Sequence, residues 1–162
     1  MNTASRPRHN LATIIFATAL CLGLSGCEGD YAVPITSTPT RKIDQRLVGN
    51  WVSKVGTEKM RVRKFDESNY LVSYEGDLYR AYHSDLDQTS FISAQEIDSA
   101  SRKYVYLAYK ISNDGQSLDL RAVDDKVVPR ETSDPASVQK LLKNNLHNPK
   151  LFGDEGRYVR DK

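Results

Sequence analysis

The stretch KMRVRKFDESNYLVSYEGDLYRAYH, residues 59–83, decides the fold class of this chain. Apolar and polar side chains alternate in it, so that Met60 and Val62 share one face of a strand and the intervening arginines share the other. A period of two residues is typical of a strand with one buried and one solvated face. Two groups of turn residues divide the stretch: 66–69 suits a four-residue hairpin loop and Gly76-Asp77 a two-residue loop. The stretch therefore predicts three consecutive antiparallel strands.

Similar runs rich in Val, Ile, Tyr and Phe continue on both sides, separated by turn residues at regular spacing. The predicted strands are residues 49–55, 58–65, 69–75, 78–84, 89–96, 103–112 and 117–124. The strand, helix, strand rhythm of a parallel sheet is missing from this order, so we predict a mainly β protein built as an antiparallel meander. The run 103–112 is apolar on both faces, which is typical of a central strand or of one covered from outside by a helix.

After Pro129 the pattern changes to that of a helix. Asp134 is a good helix-capping residue, and Pro135 suits the first helical position. The apolar residues that follow lie on one helical stripe: Val138, Leu141, Leu142 and Leu146. Asn148-Pro149 ends the helix, and a short last strand is predicted over residues 156–160. We expect this amphipathic helix to pack against the sheet.

The N-terminus has the features of an export signal. Two arginines precede an apolar stretch, residues 11–24, which carries no charge and is shorter than the ~20 residues of a transmembrane helix. Small residues and a cysteine follow, so residues 1–26 are expected to be removed as a signal peptide. The alternatives are ordinary signal-peptidase cleavage that leaves Cys27 free, and an uncleaved helix.

Leu24-Ser25-Gly26-Cys27 resembles the lipobox of bacterial lipoproteins. The resemblance implies cleavage after Gly26, a diacylglyceryl thioether on Cys27 and acylation of its new amino group. Two or three acyl chains make release from a membrane very slow, because each buried methylene contributes about 0.8 kcal/mol. Glu28 stands where an aspartate would resemble an inner-membrane retention signal. We therefore expect a lipoprotein of the outer membrane that faces the periplasm.

Removal of the signal peptide leaves a neutral domain without paired cysteines. The whole chain has 23 basic and 21 acidic residues, and loss of the signal's two arginines leaves 21 of each. Nucleic-acid binding needs a basic excess and is not expected. Cys21 leaves with the signal and Cys27 is the acylation site, so no disulfide is possible. His83 and His147 alone cannot form a three-histidine zinc site, and no metal or cofactor is predicted.

Residues 27–46 are predicted to be a lipidated N-terminus with a flexible tether, and residues 47–162 the β domain. The first segment contains Pro34 and Pro39, several Ser and Thr, and little apolar periodicity. A lipid-anchored domain needs such a spacer to clear the headgroups. The alternative is that the first part of the segment packs on the domain as an arm.

Gly49-Asn50-Trp51, at the start of the first predicted strand, carries the Gly-x-Trp pattern and is similar to the corresponding motif of lipocalins and lipocalin-like barrels. The resemblance implies a structural role for Gly49 and a tryptophan that plugs the closed end of an up-and-down barrel beside an arginine from a late strand. Arg157 or Arg160 is expected to take the place of that arginine. The family's second signature, Thr-Asp-x-x-Tyr, is absent. A small lipocalin-like barrel and a strongly curved, more open sheet backed by the helix are thus the two predicted architectures.

Tyrosines are frequent in the predicted strands, and an apolar ring with a polar tip suits an interior that binds an amphipathic molecule. The candidate ligand-binding residues are Tyr70, Tyr82, Tyr104 and Tyr106. Ordinary sheet packing is the alternative. The segment His83-Ser84-Asp85-Leu86-Asp87 offers at most a partial cation site, and a solvated acidic loop is its other interpretation.

The familiar catalytic motifs are missing from the sequence, including a Gly-x-Ser-x-Gly elbow, a phosphate-binding glycine loop and His-Glu-x-x-His. We therefore expect a non-catalytic cell-envelope lipoprotein, held on the membrane by its lipid anchor, that binds a small amphipathic molecule or lipid in a barrel cavity. The alternative is a structural lipoprotein that docks another envelope protein through its sheet edge or its helix face.

Overall fold

The computed structural model describes residues 30–161, which form a closed antiparallel barrel of eight strands. The elements in chain order are β1 Gly49–Ser53, β2 Lys59–Lys64, β3 Asn69–Tyr74, β4 Asp77–His83, β5 Phe91–Glu96, β6 Tyr104–Ile111, β7 Ser117–Val123, α1 Pro135–Asn145 and β8 Phe152–Arg160. Each strand pairs with the next, and β8 closes the barrel on β1, where Trp51 lies opposite Arg160. Of the two predicted architectures, the closed barrel is therefore confirmed and the open sheet is not found.

The hairpin between β3 and β4 turns one residue earlier than predicted. Its two loop residues are Glu75 and Gly76, with φ of 51° and 105°, because Tyr74 and Asp77 form the last pair of the ladder. Two successive residues with positive φ give a turn whose twist matches that of the flanking strands. Gly76 accepts this conformation without strain, as predicted, whereas Glu75 adopts it against its own preference.

The barrel interior holds one of the two hydrophobic cores. Strand alternation places Met60 and Val62 inside and the arginines between and after them on the exposed outer face, as predicted. The buried side chains of this inner core include Trp51, Met60, Val62, Tyr70, Ala81, Ile92, Ala94, Tyr109, Leu118 and Tyr158. It forms because inward-pointing residues of all eight strands converge on one axis.

The second core lies outside the barrel, under α1. The side chain of Asp134 accepts a hydrogen bond from the Ser137 backbone N–H and caps the helix, and Pro135 is its first residue, as predicted. Val138 and Leu142 are fully buried in the same cluster as outward-facing Tyr106. This explains why β6 is apolar on both faces. Within residues 30–161 no helix is long and apolar enough to cross a membrane.

Residues 31–46, called the arm below, pack along the outside of the barrel. Tyr31 exchanges two main-chain hydrogen bonds with Tyr104, of 3.0 and 2.9 Å. The Ile35 N–H donates to the Ser93 hydroxyl at 3.1 Å. Tyr31 and Ile35 are both 0% exposed. The prediction of a flexible tether is therefore wrong for the described part of residues 27–46, and the alternative of a packed arm is found. The folded domain begins at Tyr31 and not at residue 47.

The arm descends from the start of β6 to the opposite end of the barrel. The hydroxyl groups of Tyr106 and Tyr82 donate to the main-chain oxygens of Val33 and Thr36 along the way. Further on, the Asp44 N–H donates to the Tyr70 hydroxyl at 2.6 Å. Hydrogen bonds to successive strands thus replace the ladder that a proline-containing segment cannot form.

The packed arm predicts a stability effect that a tether would not give. Ile35→Ala is expected to lower the free energy of unfolding by about 2–4 kcal/mol, because a fully buried side chain leaves a cavity in the outer core. Thr38→Ala is the control, since this neighbour is exposed and should change stability by less than about 0.5 kcal/mol. Urea denaturation measures both. Equal stabilities of the two variants would show that the arm is not packed in solution.

Candidate functional site

One end of the barrel is closed by Trp51. Its ring is buried, and its indole N–H donates to the Leu47 carbonyl oxygen at 2.9 Å. The guanidinium carbon of Arg160 lies 4.7 Å from the centroid of the tryptophan ring. Arg157, the other candidate, is exposed and pairs with Glu155 at 3.2 Å, so its assignment as the structural arginine is wrong. The register decides this, because Arg160 lies directly opposite Trp51.

Arg160 also fastens the chain segments that meet at this closed end. Its guanidinium donates to the carbonyl oxygens of Gly115, Val48 and Arg46, at 2.7, 2.9 and 2.5 Å. A Cβ atom on Gly49 would lie 2.0 Å from Nη1 of Arg160. A side chain at position 49 would therefore displace the guanidinium that covers the tryptophan, and Gly49 leaves room for it.

A buried histidine, the last residue of β4, also lies toward the closed end of the barrel. His83 is 0% exposed; its Nε2 lies 2.7 Å from the Tyr70 hydroxyl, and its Nδ1 lies 3.3 Å from the Tyr109 hydroxyl. Arg41, from the arm, donates to the same Tyr109 hydroxyl. Burial, followed by the charge of Arg41, lowers the pKa of His83 to about 4. His83 is therefore a neutral part of a network that ties the arm to the barrel.

The acidic residues that follow His83 in the sequence do not join it. Asp85 pairs with Arg41 at 2.6 Å, and Asp87 lies 3.4 Å from Lys143 on α1. Among residues 30–161 no group of three His, Cys, Asp or Glu side chains has the arrangement of a metal site. The partial cation site weighed for residues 83–87 is not assembled, because His83 points inward while the carboxylates stay at the surface.

The lowered pKa of His83 predicts how stability depends on pH. The unfolded chain binds a proton near pH 6.5, whereas the folded chain does so only near pH 4. Between these values the unfolded state holds more protons, so the free energy of unfolding falls as the pH falls. The loss over this window is about 3 kcal/mol, since one pKa unit corresponds to about 1.4 kcal/mol.

Urea denaturation at a series of pH values measures this slope. His83→Gln should remove most of it, while His147→Gln, a change at an exposed histidine on the helical side, should keep it. A slope unchanged by His83→Gln would show that His83 is not held neutral in the folded state.

The opposite end of the barrel is open, and this end is called the mouth below. Several side chains near it point inward by strand alternation yet keep part of their surface exposed, including Val72, Tyr74, Asp77, Tyr79, Glu96, Val105, Leu107 and Leu120. The wall of the barrel is continuous, because every strand pairs on both sides. Solvent can reach inward-facing side chains only through an end of the barrel, and the other end is plugged by Trp51. The inward side chains at the mouth, which are largely apolar and accessible from this end, are together called the cup below.

The polar groups of the mouth are few. Tyr79 lies directly opposite Glu96 in the ladder between β4 and β5. Burial, followed by the nearby charges of Asp98 and Asp77, raises the pKa of Glu96 above its ordinary value. Burial, followed by the charges of Asp77, Glu96 and Asp98, raises the pKa of Tyr79. A largely apolar wall whose polar groups lie together at the rim, with Asp77 opposite Tyr74 and Glu96 opposite Tyr79, suits a molecule with an apolar body and one polar end.

Three of the four tyrosines predicted to bind a ligand lie on the outside of the barrel. Tyr82 and Tyr106 hold the arm through their hydroxyl groups, and Tyr104 pairs with Tyr31. Tyr70 points inward, but at the closed end, against His83. The expectation that these four line one cavity is therefore wrong. The tyrosines at the mouth are Tyr74 and Tyr79, which strand alternation could have found once one inward residue of β3 or β4 was known.

An open groove of about 730 Å³ lies on the outer face of β6 to β8. The guanidinium carbon of Arg121 lies 4.8 Å from the ring centroid of Phe152 in this groove. Its charges are mixed, because Lys110 lies opposite Asp119 and Arg121 opposite Glu155. Alternating charges of this kind are typical of a solvated sheet face, so the mouth is the stronger candidate for ligand binding.

No protein-family model matches the chain, and neither a curated protein nor a solved structure matches it. The predictions for the signal peptide, residues 1–26, and for the lipobox from Leu24 to Cys27 lie outside the described residues.

Proposed function

We propose that this chain is a non-catalytic lipoprotein of the cell envelope that holds a small amphipathic molecule or a lipid inside its barrel. The single observation that carries the proposal is the contrast between the two ends of the barrel. Trp51 and Arg160 close one end, while inward-facing apolar residues at the other end, such as Leu107 and Leu120, stay partly exposed.

The wall of the cup favours an apolar guest. Val72, Leu107 and Leu120 pack against the inner core and keep part of their surface exposed. Removing an apolar body from water against such side chains yields roughly 25 cal/mol for each Å² buried. The polar end of the guest would then meet Tyr79 and Glu96 at the rim.

The chemistry of the cup supports binding over catalysis. The inward titratable groups near the mouth include the phenols of Tyr74 and Tyr79 and the carboxyl groups of Asp77 and Glu96. His83, the described histidine inside the barrel, is neutral and bound to two tyrosines away from the mouth. A general acid and base need partners within hydrogen-bond reach of a bound substrate, and His83 faces the plugged end instead.

The resemblance to a lipobox supports the proposed location of the protein. In the proposed mature protein Cys27 is the first residue, carries the lipid, and holds the domain on the periplasmic side of the outer membrane. Two or more acyl chains are enough to hold a protein on a membrane, so the anchor requires no further contact between the domain and the lipid.

Native mass spectrometry of the chain extracted from membranes tests the proposal in one preparation. The expected protein begins at Cys27, carries the mass of its acyl chains, and retains a bound amphiphile at one copy per chain. A chain that carries no small molecule and instead keeps another protein at fixed stoichiometry would contradict ligand binding and favour the docking role.

The docking role has one physical difficulty. An exposed strand edge is what a second protein would extend, and each of the eight strands already has two neighbours. On the helix, the apolar residues Val138 and Leu142 are buried against the barrel. The proposed function therefore rests on the cup.

A further inference from the structure

We infer that the mouth of the barrel is held against the membrane to which the chain is anchored, so that the cup opens toward the lipid surface. The inference rests on the proposed lipidation of Cys27 and adds to it the orientation of the domain and the surface from which a guest enters. It follows from where the arm leaves the fold.

The arm starts at the mouth. Tyr104 is the first residue of β6, directly after the loop that connects β5 to β6 at the mouth, and Tyr31 forms two main-chain hydrogen bonds with it. The Tyr31 hydroxyl also donates to the Val123 carbonyl oxygen at 3.2 Å, at the end of β7. Its ring stacks on that of Tyr106, with centroids 3.9 Å apart. Tyr31 is therefore fixed to the barrel wall beside the opening.

The chain between this point and the lipid is short. Three residues separate Tyr31 from Cys27, and the four Cα-to-Cα steps between the two residues span at most about 14 Å. A flexible tether reaching to residue 46 would instead have an end-to-end distance of roughly 25 Å and would leave the domain free to turn. Because the arm is packed on the barrel, only the segment between Cys27 and Tyr31 separates the domain from the lipid.

The closed end lies beyond that reach. β6 runs from the mouth toward the closed end over 8 residues, which is about 26 Å of strand and roughly 20 Å along the axis of a barrel whose strands tilt by about 40°. Tyr31, where the arm joins the barrel, lies beside Tyr104 at the mouth end of β6. Trp51 and its neighbours are therefore the part of the domain farthest from the lipid.

Exposed apolar side chains do not decide the orientation. Val55, which is 87% exposed, and Leu78, which is 37% exposed, lie at the mouth, while Phe65, which is 63% exposed, lies at the closed end. The covalent attachment decides it. An amphipathic molecule then passes between the bilayer and the apolar cup over a short distance, which makes the lipid surface the partner of the mouth.

Two single-cysteine variants test the orientation. Ala100→Cys lies in the exposed loop at the mouth, and Asn113→Cys lies in the exposed hairpin at the closed end. Because Cys27 is taken by the lipid and Cys21 leaves with the signal, each variant offers one thiol for a fluorophore. The lipidated chain is inserted into vesicles of phosphatidylethanolamine and phosphatidylglycerol that contain lipids with a nitroxide on the headgroup.

The label at residue 100 is expected to be quenched several-fold more than the label at residue 113. Equal quenching, or stronger quenching at residue 113, on a chain that carries its acyl groups would overturn the orientation and leave the anchor intact. A flexible Gly-Ser insertion of about 20 residues between Asp30 and Tyr31 should make the two signals similar without releasing the chain. Mass spectrometry of the same preparation tests the anchor separately, because an unmodified Cys27 would overturn both the lipidation and the inference.

Discussion

Trp51→Ala is expected to lower the free energy of unfolding by about 3–5 kcal/mol, the range for loss of a large buried aromatic side chain. The indole is buried, donates to the Leu47 carbonyl oxygen and lies under the guanidinium of Arg160. Its removal leaves a cavity at the closed end and abolishes the cation–π contact between Arg160 and the indole ring. A domain of this size has a total stability of about 5–15 kcal/mol, so the variant loses a large share of it.

Val55→Ala is the matched control, because its side chain is exposed in the loop after β1, the strand that carries Trp51. It should change stability by less than about 0.5 kcal/mol. Urea denaturation followed by far-ultraviolet circular dichroism measures both variants without depending on tryptophan emission. A loss below about 1 kcal/mol for Trp51→Ala would contradict the role of this residue as the plug.

Val72→Glu is expected to weaken the binding of the neutral probe N-undecyl dansylamide by about 100-fold or more. Val72 points into the cup, and a carboxylate there places an unpaired charge against the apolar chain of the probe. An energetic cost of about 3 kcal/mol, modest for a partly desolvated charge, corresponds to that factor in the dissociation constant. Dansyl emission on titration measures the affinity.

The adjacent residue provides a closely matched control. Leu71 is also half-buried and lies in the same strand, but it points to the outside of the barrel. Leu71→Glu should leave the affinity within about a factor of two. Circular dichroism would show whether each variant is folded before its affinity is compared. Equal affinities of two folded variants would place the probe outside the cup.

The strands and turns were accessible from the sequence because each depends on local chemistry. Alternation of Met60 and Val62 with arginines fixes the faces of β2, and Asp134 with Pro135 fixes the start of α1. The turn at Glu75-Gly76 was predicted one residue late, since a glycine near the turn does not by itself determine which residues form the last pair. The faces of a strand and the start of a helix can be predicted because they depend on residues that are close together in the sequence.

The arm was not accessible in this way. Tyr31 and Ile35 are its fully buried residues, and they bind the barrel through isolated main-chain and hydroxyl contacts and not through a ladder. A segment of this kind has no periodicity in its sequence. Pro34 and Pro39, which favoured a tether, only exclude a continuous strand or helix, and an extended packed segment satisfies them equally.

The position of the cup was missed for a related reason. Alternation shows that Tyr104 and Tyr106 share one face of β6, but both faces of that strand are apolar. The choice between them depends on α1 and the arm, which cover the outer face from far away in the sequence. The choice between Arg157 and Arg160 likewise depends on the pairing of β8 with β1, which no local pattern contains.

A methyl-detected NMR titration of the mature protein with the neutral amphiphile dodecanol shows directly whether the barrel holds an amphipathic guest. Saturable shifts are expected, at one dodecanol per chain, for the inward methyl groups near the mouth: those of Val72, Val105, Leu107 and Leu120. Leu71 and Val159, on the outer face, should keep their positions. No saturable shift, or shifts confined to outer-face methyl groups, would contradict a barrel that carries an amphipathic guest.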